Sequence, residues 1–112
     1  MHKLPNLYDY GAPAEGSETV ESLLANEGVR IERIISNKAS TGWYDQEEDE
    51  WVVLLEGSAT LQIEEETLSL ERGESLLLKA RVRHRVLSTS QDALWLAVFI
   101  KKCVNKQKEI NG

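Results

Sequence analysis

Cysteine is nearly missing from this chain: Cys103 stands alone among 112 residues, so no intrachain disulfide and no cysteine-built zinc knuckle can form. No apolar run approaches the ~20 residues that a membrane span needs. Basic residues are outnumbered, 13 Lys and Arg against 19 Asp and Glu, and the net charge of -6 repels phosphate backbones and anionic membrane surfaces. Neither nucleic acid nor membrane is therefore expected as a partner, and a small neutral or cationic ligand fits better. The opening stretch MHKLPNLYDYGAP lacks the continuous apolar core of a signal peptide, which with the unpaired cysteine predicts a cytoplasmic, reducing location. What is present, 41% hydrophobic and 29% charged residues, is enough for one soluble domain that hides roughly two-thirds of its unfolded surface.

Residues 1–16 are punctuated by Pro, Gly and Tyr without a sustained period and read as an irregular arm. SETVESLLANEG follows, with Ser17 as an N-cap, Glu18 and Glu21 in a first turn, apolar Val20, Leu23 and Leu24, and Gly28 as a stop. This spacing predicts one short helix. From Val29 onward β-rich runs arrive at close intervals: 29–36, 50–56, 59–64, 67–71, 74–79, 83–88 and 94–100. They are separated by turn chemistry at Glu56-Gly57-Ser58, Glu65-Glu66, Arg72-Gly73 and Ser90-Gln91-Asp92. No segments of crossover-helix length lie between them, so the expected fold is all-β and antiparallel, a barrel or sandwich. The expected organisation is an arm and short helix packed on the barrel over 1–28, the barrel over 29–100, and a polar tail over 101–112.

The chemistry concentrates in GWYDQEEDEWVVLLEGSATL, residues 42–61, where five carboxylates within six residues precede an abruptly apolar strand. Strand alternation puts Tyr44, Gln46, Glu50, Val52 and Leu54 on one face and Trp51, Val53 and Leu55 on the other. Both faces of WVVLL are apolar, which predicts burial on both sides. Glu50 then needs a cation, a metal or its own proton. His84, on a strand beside Val82 and Val86, is the candidate to meet it.

These residues resemble the cupin superfamily, small jelly-roll barrels with a metal site inside. The family's first motif ends in Glu, six residues, then Gly, as in Glu50 to Gly57. Its second runs from Gly to His, and Gly73 to His84 has its length, with Lys79 and Arg81 where Pro and Gly are usual. The resemblance covers residues 29–100 and is closest to a subgroup of small single-domain cupins. It implies a jelly-roll antiparallel β-barrel. It also departs from the family, because the usual His-x-His before the Glu is replaced by Tyr44 and Gln46, or by Trp43 and Asp45 in the longer spacing. The chain's other histidine is His2.

The ligand set the resemblance implies is thus Gln46, Glu50 and His84, holding Mn, Fe, Ni or Zn, with Tyr44 or Asp45 as a fourth group. The sugar-phosphate isomerase branch of the family uses a glutamine in this way. Glu50 and Tyr44 are the candidate catalytic residues, moving a proton beside a metal that polarises a carbonyl or carboxylate oxygen. Trp43, Tyr44 and Asp45 are the candidate pocket wall. The alternative is a metal-free barrel that binds or senses a small molecule, with Glu50 and His84 as a buried structural pair. Asp45, Glu47, Glu48 and Asp49 are expected in a solvated, negative loop. Lys79, Arg81, Arg83 and Arg85 are expected to pair with acidic loops or a second subunit. The strand 94–100, apolar on both faces, is expected at the sheet centre or at a homodimer seam.

Overall fold

The computed structural model describes residues 3–102, so His2, Cys103 and the rest of the expected tail lie outside the described residues. Eight strands alternate with short turns: β1 Ser17–Ala25, β2 Val29–Asn37, β3 Asp49–Glu56, β4 Ser58–Ile63, β5 Glu66–Glu71, β6 Ser75–Leu78, β7 His84–Thr89 and β8 Ala93–Ile100. They form a five-stranded sheet, β1-β2-β8-β3-β6, facing a three-stranded sheet, β5-β4-β7, with every pairing antiparallel. This is a jelly-roll barrel. Among the described residues there is no helix, and none is long and apolar enough to cross a membrane.

The segment expected as a helix is β1, paired antiparallel with β2 from Ser17↔Asn37 to Ala25↔Arg30. The reason is tertiary. β2 would otherwise be an edge strand with a row of unpaired backbone groups, and pairing it outweighs the modest helix preference of SETVESLLA. A bulge between Ser22 and Leu24 shifts the register by one, which is how Val20, Leu23 and Leu24 carry a helix-like spacing in a strand. Gly28 does end the element, but as part of a hairpin turn in which Asn26 Oδ1 accepts the Gly28 and Val29 backbone N–H groups, each at 2.9 Å.

The core lies between the sheets and is built from inward residues of both, including Leu54, Leu61, Leu70, Leu78, Trp95 and Phe99. Each such side chain contributes ~1.5–3 kcal/mol of burial free energy. The chain crosses from β3 to β4 at Gly57, whose φ is 87°, where a Cβ would stand 2.9 Å from the Ala93 Cα and the Asp92 oxygen. Only glycine fits there. The outer face of β2 is roofed by the arm, whose Asn6, Leu7 and Asp9 carbonyls accept hydrogen bonds from Arg33. The inner face of β1 and β2 extends past the three-stranded sheet and stays open, and this open end holds the site.

Candidate functional site

β3 and β7, on facing sheets, bring Glu50 and His84 together in a cavity of about 230 Å³ between the sheets. Both are buried, at 7% and 5% exposure. His84 Nδ1 lies 3.1 Å from the Val82 carbonyl oxygen, which can only accept, so Nδ1 carries a proton and neutral His84 presents a lone pair at Nε2. That atom stands 3.7 Å from Glu50 Oε1, too far for a hydrogen bond. Glu50 Oε1 also accepts from Gln46 Nε2 at 3.1 Å. Burial pushes the Glu50 carboxyl up to about 7; the Gln46 hydrogen bond opposes this, and neighbouring Glu32 adds to it.

Tyr44 closes the mouth. It exchanges backbone hydrogen bonds with His84, at 2.7 and 3.1 Å, and its ring stacks on the imidazole at 5.4 Å between centroids and 26° between planes. Partial burial, followed by the charges of Glu18, Glu50 and Glu32, raises its phenol above the ordinary value.

The structure therefore brings Tyr44, Gln46, Glu50 and His84 together, and it places Trp43 and Asp45 elsewhere. Trp43 does not line the cavity. It lies on the outside, with the guanidinium groups of Arg83 and Arg85 at 4.6 and 4.5 Å from its ring centroid, because alternation turns it away from Tyr44. Asp45 likewise points out, to Arg81 at 2.9 Å. The acidic loop is not simply solvated. Glu48 binds Arg30 at 2.8 Å, and Asp49 accepts the Ala80 N–H at 2.7 Å, a bond that holds its carboxyl below the usual range. Lys79 lies 3.6 Å from Asp49. Trp51 was expected to be buried and is 40% exposed, since nothing covers this part of the outer face of the five-stranded sheet. Arg81 has φ of 69°, so the left-handed turn that the motif's usual glycine would favour is kept with an arginine in its place.

Three charged cavity residues escaped the sequence reading: Glu18 on β1, and Arg30 and Glu32 on β2. The alternation of VRIERIIS separates Arg30, Glu32 and Ile34 from Val29, Ile31, Arg33 and Ile35. Only the pairing to β8, Arg30↔Phe99 and Glu32↔Ala97, turns that face inward. Arg30 lies 3.8 Å from the centre of the Phe99 ring, gives Nη1 to Glu32 at 2.7 Å, and gives Nε and Nη2 to Glu48 at 3.1 and 2.8 Å.

A cupin domain model matches residues 32–99, more than half of the chain and including both motif segments. The chain belongs to the cupin family. Among solved structures, a candidate mannose-6-phosphate isomerase of Ralstonia eutropha JMP134 shares 34% identity with this cupin at a TM-score of 0.84, over 90% of this chain and 100% of that one. KdgF from Halomonas sp. superposes at a TM-score of 0.76 with 13% identity, covering 95% and 98% of the two chains. A cupin superfamily protein of Desulfitobacterium hafniense DCB-2 gives a TM-score of 0.75 with 15% identity, covering 90% and 100%. These last two share the fold. No curated protein matches the chain.

Cupins often hold metals, and this site can be tested for fit on its own donors. Among the described residues no group of three or more His, Cys, Asp and Glu side chains converges as a metal cage. The donors that do converge are a carboxylate oxygen and an imidazole lone pair, with an amide whose NH₂, not its oxygen, now faces Glu50. Two hard-to-borderline donors, plus an amide oxygen once Gln46 turns over, fit a small divalent ion with several positions left open.

Proposed function

We propose that this small cupin binds a divalent transition metal, Mn, Fe, Ni or Zn, between Glu50 and His84, at the polar end of a cavity that takes a small organic ligand. The observation that carries this reading is a buried carboxyl and a buried imidazole facing one another at 3.7 Å, beyond hydrogen-bond reach, at the end of the cavity. Such an arrangement is relieved by a cation or by a shared proton. Gln46 would turn its amide oxygen inward as a third donor. When bound, the metal would supply Lewis acidity toward a carbonyl oxygen. Glu50, through a carboxylate oxygen that the metal leaves free, would exchange a proton with the ligand, and Tyr44 would orient the ligand at the mouth.

A second reading is a metal-free binding or sensing barrel. It is favoured by the Gln46 NH₂ donating to Glu50 and by a donor set smaller than a full cage. Elemental analysis of tag-free protein grown with mixed metals, repeated on His84→Ala, separates the two. About one metal per chain, lost in the variant, supports the metal reading. No metal after reconstitution, with a melting temperature that responds to organic ligands alone, supports the second.

This reading extends to a homodimer. Leu24, Ile31, Val98, Trp51 and Leu77 form one apolar row across all five strands of the larger sheet, with Leu24, Trp51 and Leu77 exposed. Sedimentation of the parent and of Trp51→Glu tests it. A dimer that the charge converts to a monomer is the expected result, and a monomeric parent would remove the proposal.

A further inference from the structure

The charged groups of the cavity wall are unequal in sign. Glu18, Glu32 and Glu50 face the space, against one guanidinium, Arg30. Arg30 is already engaged. Glu32 takes one terminal nitrogen, Glu48 takes Nε and the other terminal nitrogen, and the Phe99 ring lies 3.8 Å beneath its plane. An incoming carboxylate or phosphate would have to compete with two carboxylates for this cation while facing two more, Glu18 and Glu50. Glu18 has the opposite status. Its Oε2 accepts a 2.6 Å hydrogen bond from Ser36 Oγ, and no Lys or Arg lies within ion-pair distance of it among the described residues.

A second and independent feature also asks for a donor. His84, nine-tenths buried, turns a lone pair at Nε2 into the cavity without a hydrogen-bond partner among the described residues. The remaining wall is apolar and aromatic, with Val20, Ile34, Trp95 and Phe99 on the large sheet and Tyr44 across the mouth. Carboxylates at one end, a lone pair, and ring faces on the walls are what a small organic cation needs. Charge pairs in a partly desolvated site count far more than in water, so the excess of carboxylates sets the sign of the ligand.

We propose that the cavity selects a small organic cation, an ammonium or amidinium group on a short apolar body, bound between Glu18, Glu32 and Tyr44, and that it discriminates against carboxylates and phosphate esters. The volume of about 230 Å³ is below the ~300–1,000 Å³ of drug-sized sites, which limits the body to a few carbons. The inference rests on the cavity being the binding site, as proposed above, but not on the metal. A divalent ion at Glu50 and His84 would leave Glu18 without a cationic partner among the described residues, and Glu32 with Arg30 alone.

The test is a calorimetric titration of the tag-free protein as purified, with metal content measured on the same sample. The probes are n-butylammonium, 1-butanol and butyrate, matched in size, and mannose 6-phosphate. The cation is expected to bind at least ten-fold more tightly than the alcohol, and to weaken as salt rises. The two anions are expected not to bind measurably. Glu18→Gln and Glu32→Gln should each lose several-fold in cation affinity while keeping the parent's metal content and melting behaviour. Either anion binding as tightly as the amine overturns the proposal. So does an amine no better than the alcohol, including no binding by either, and so does full cation affinity in both variants. Metal stoichiometry is read separately, so its absence alongside cation selectivity would remove the metal and leave this assignment standing.

Discussion

β2 carries two arginines three residues apart, on opposite faces and with opposite duties. Arg33, on the outer face, is 4% exposed. Its Nη1 donates to three arm carbonyls at 3.0 to 3.1 Å, and its Nη2 is held by both oxygens of Glu21 at 2.8 and 2.7 Å. Arg30, on the inner face, is half-exposed and answered by carboxylates at the edge of the cavity. The outer cation is satisfied largely by backbone dipoles and fixes where the arm lies. The inner cation is satisfied by full charges and sets the potential inside the barrel. One strand therefore uses the same side chain once to organise structure and once to condition a site.

Removing Arg33 should have the largest effect. Arg33→Ala leaves three arm carbonyls and Glu21 without their donor, and should lower stability by ~3–5 kcal/mol in urea melts. Ligand and metal stoichiometry of the folded fraction should not change. A loss under about 1 kcal/mol would erase the contrast with Arg30.

Glu50 gives the next largest effect, and its sign is opposite to that of an ordinary salt-bridged carboxylate. Its midpoint rises on folding from 4.5 to about 7, so the folded chain binds the proton more tightly than the unfolded one. This contribution is present in full below about pH 4.5 and is lost as pH climbs through about 7. The loss is on the order of 3 kcal/mol. With a chelator present, Glu50→Gln should flatten that decline and exceed the parent in stability at pH 8. A parent whose stability is level from pH 5 to 8 would show that Glu50 keeps a partner the geometry does not reveal.

The smallest effect is expected from Arg30→Ala, about 1 kcal/mol in stability, as for a half-exposed ion pair. Its signature lies elsewhere. Arg30 holds the Glu50 carboxyl down, so the Glu50 midpoint, followed by carboxyl carbon resonances across a pH titration, should move up in Arg30→Ala and stay put in Arg33→Ala.

The contrast also marks how far the amino-acid sequence can be read. Strands β2 to β8 were legible because alternation and turn residues agree at each one, and Glu50 and His84 were legible because their spacing to Gly57 and Gly73 fits the family motifs. Two of those spacings have visible physical roots: Gly57 crosses between the sheets where a Cβ would collide, and Gly73 has φ of 88° at the return from β5 to β6. β1 was not legible, since its strand state depends on the open edge of β2, which no local propensity reports. The same limit hid Glu18, Arg30 and Glu32. Alternation grouped the two β2 residues, but which face looks inward is decided by pairing with β8. Trp43 and Asp45 failed as wall residues for the reverse reason, that adjacency to Tyr44 in the chain points them away from it.

One contact in the core has a practical use. Trp95 is 3% exposed, and its indole N–H donates to Ser36 Oγ at 3.1 Å, which in turn donates to Glu18. The excited state of that indole is thus wired to the carboxylate beside which a cation would sit. Trp43 and Trp51 are both exposed, and exchanging them for phenylalanine would leave Trp95 as the tryptophan that lines the cavity. The barrel would then carry its own optical gauge: a single buried tryptophan whose emission is expected to shift, without any label, when the cavity is filled.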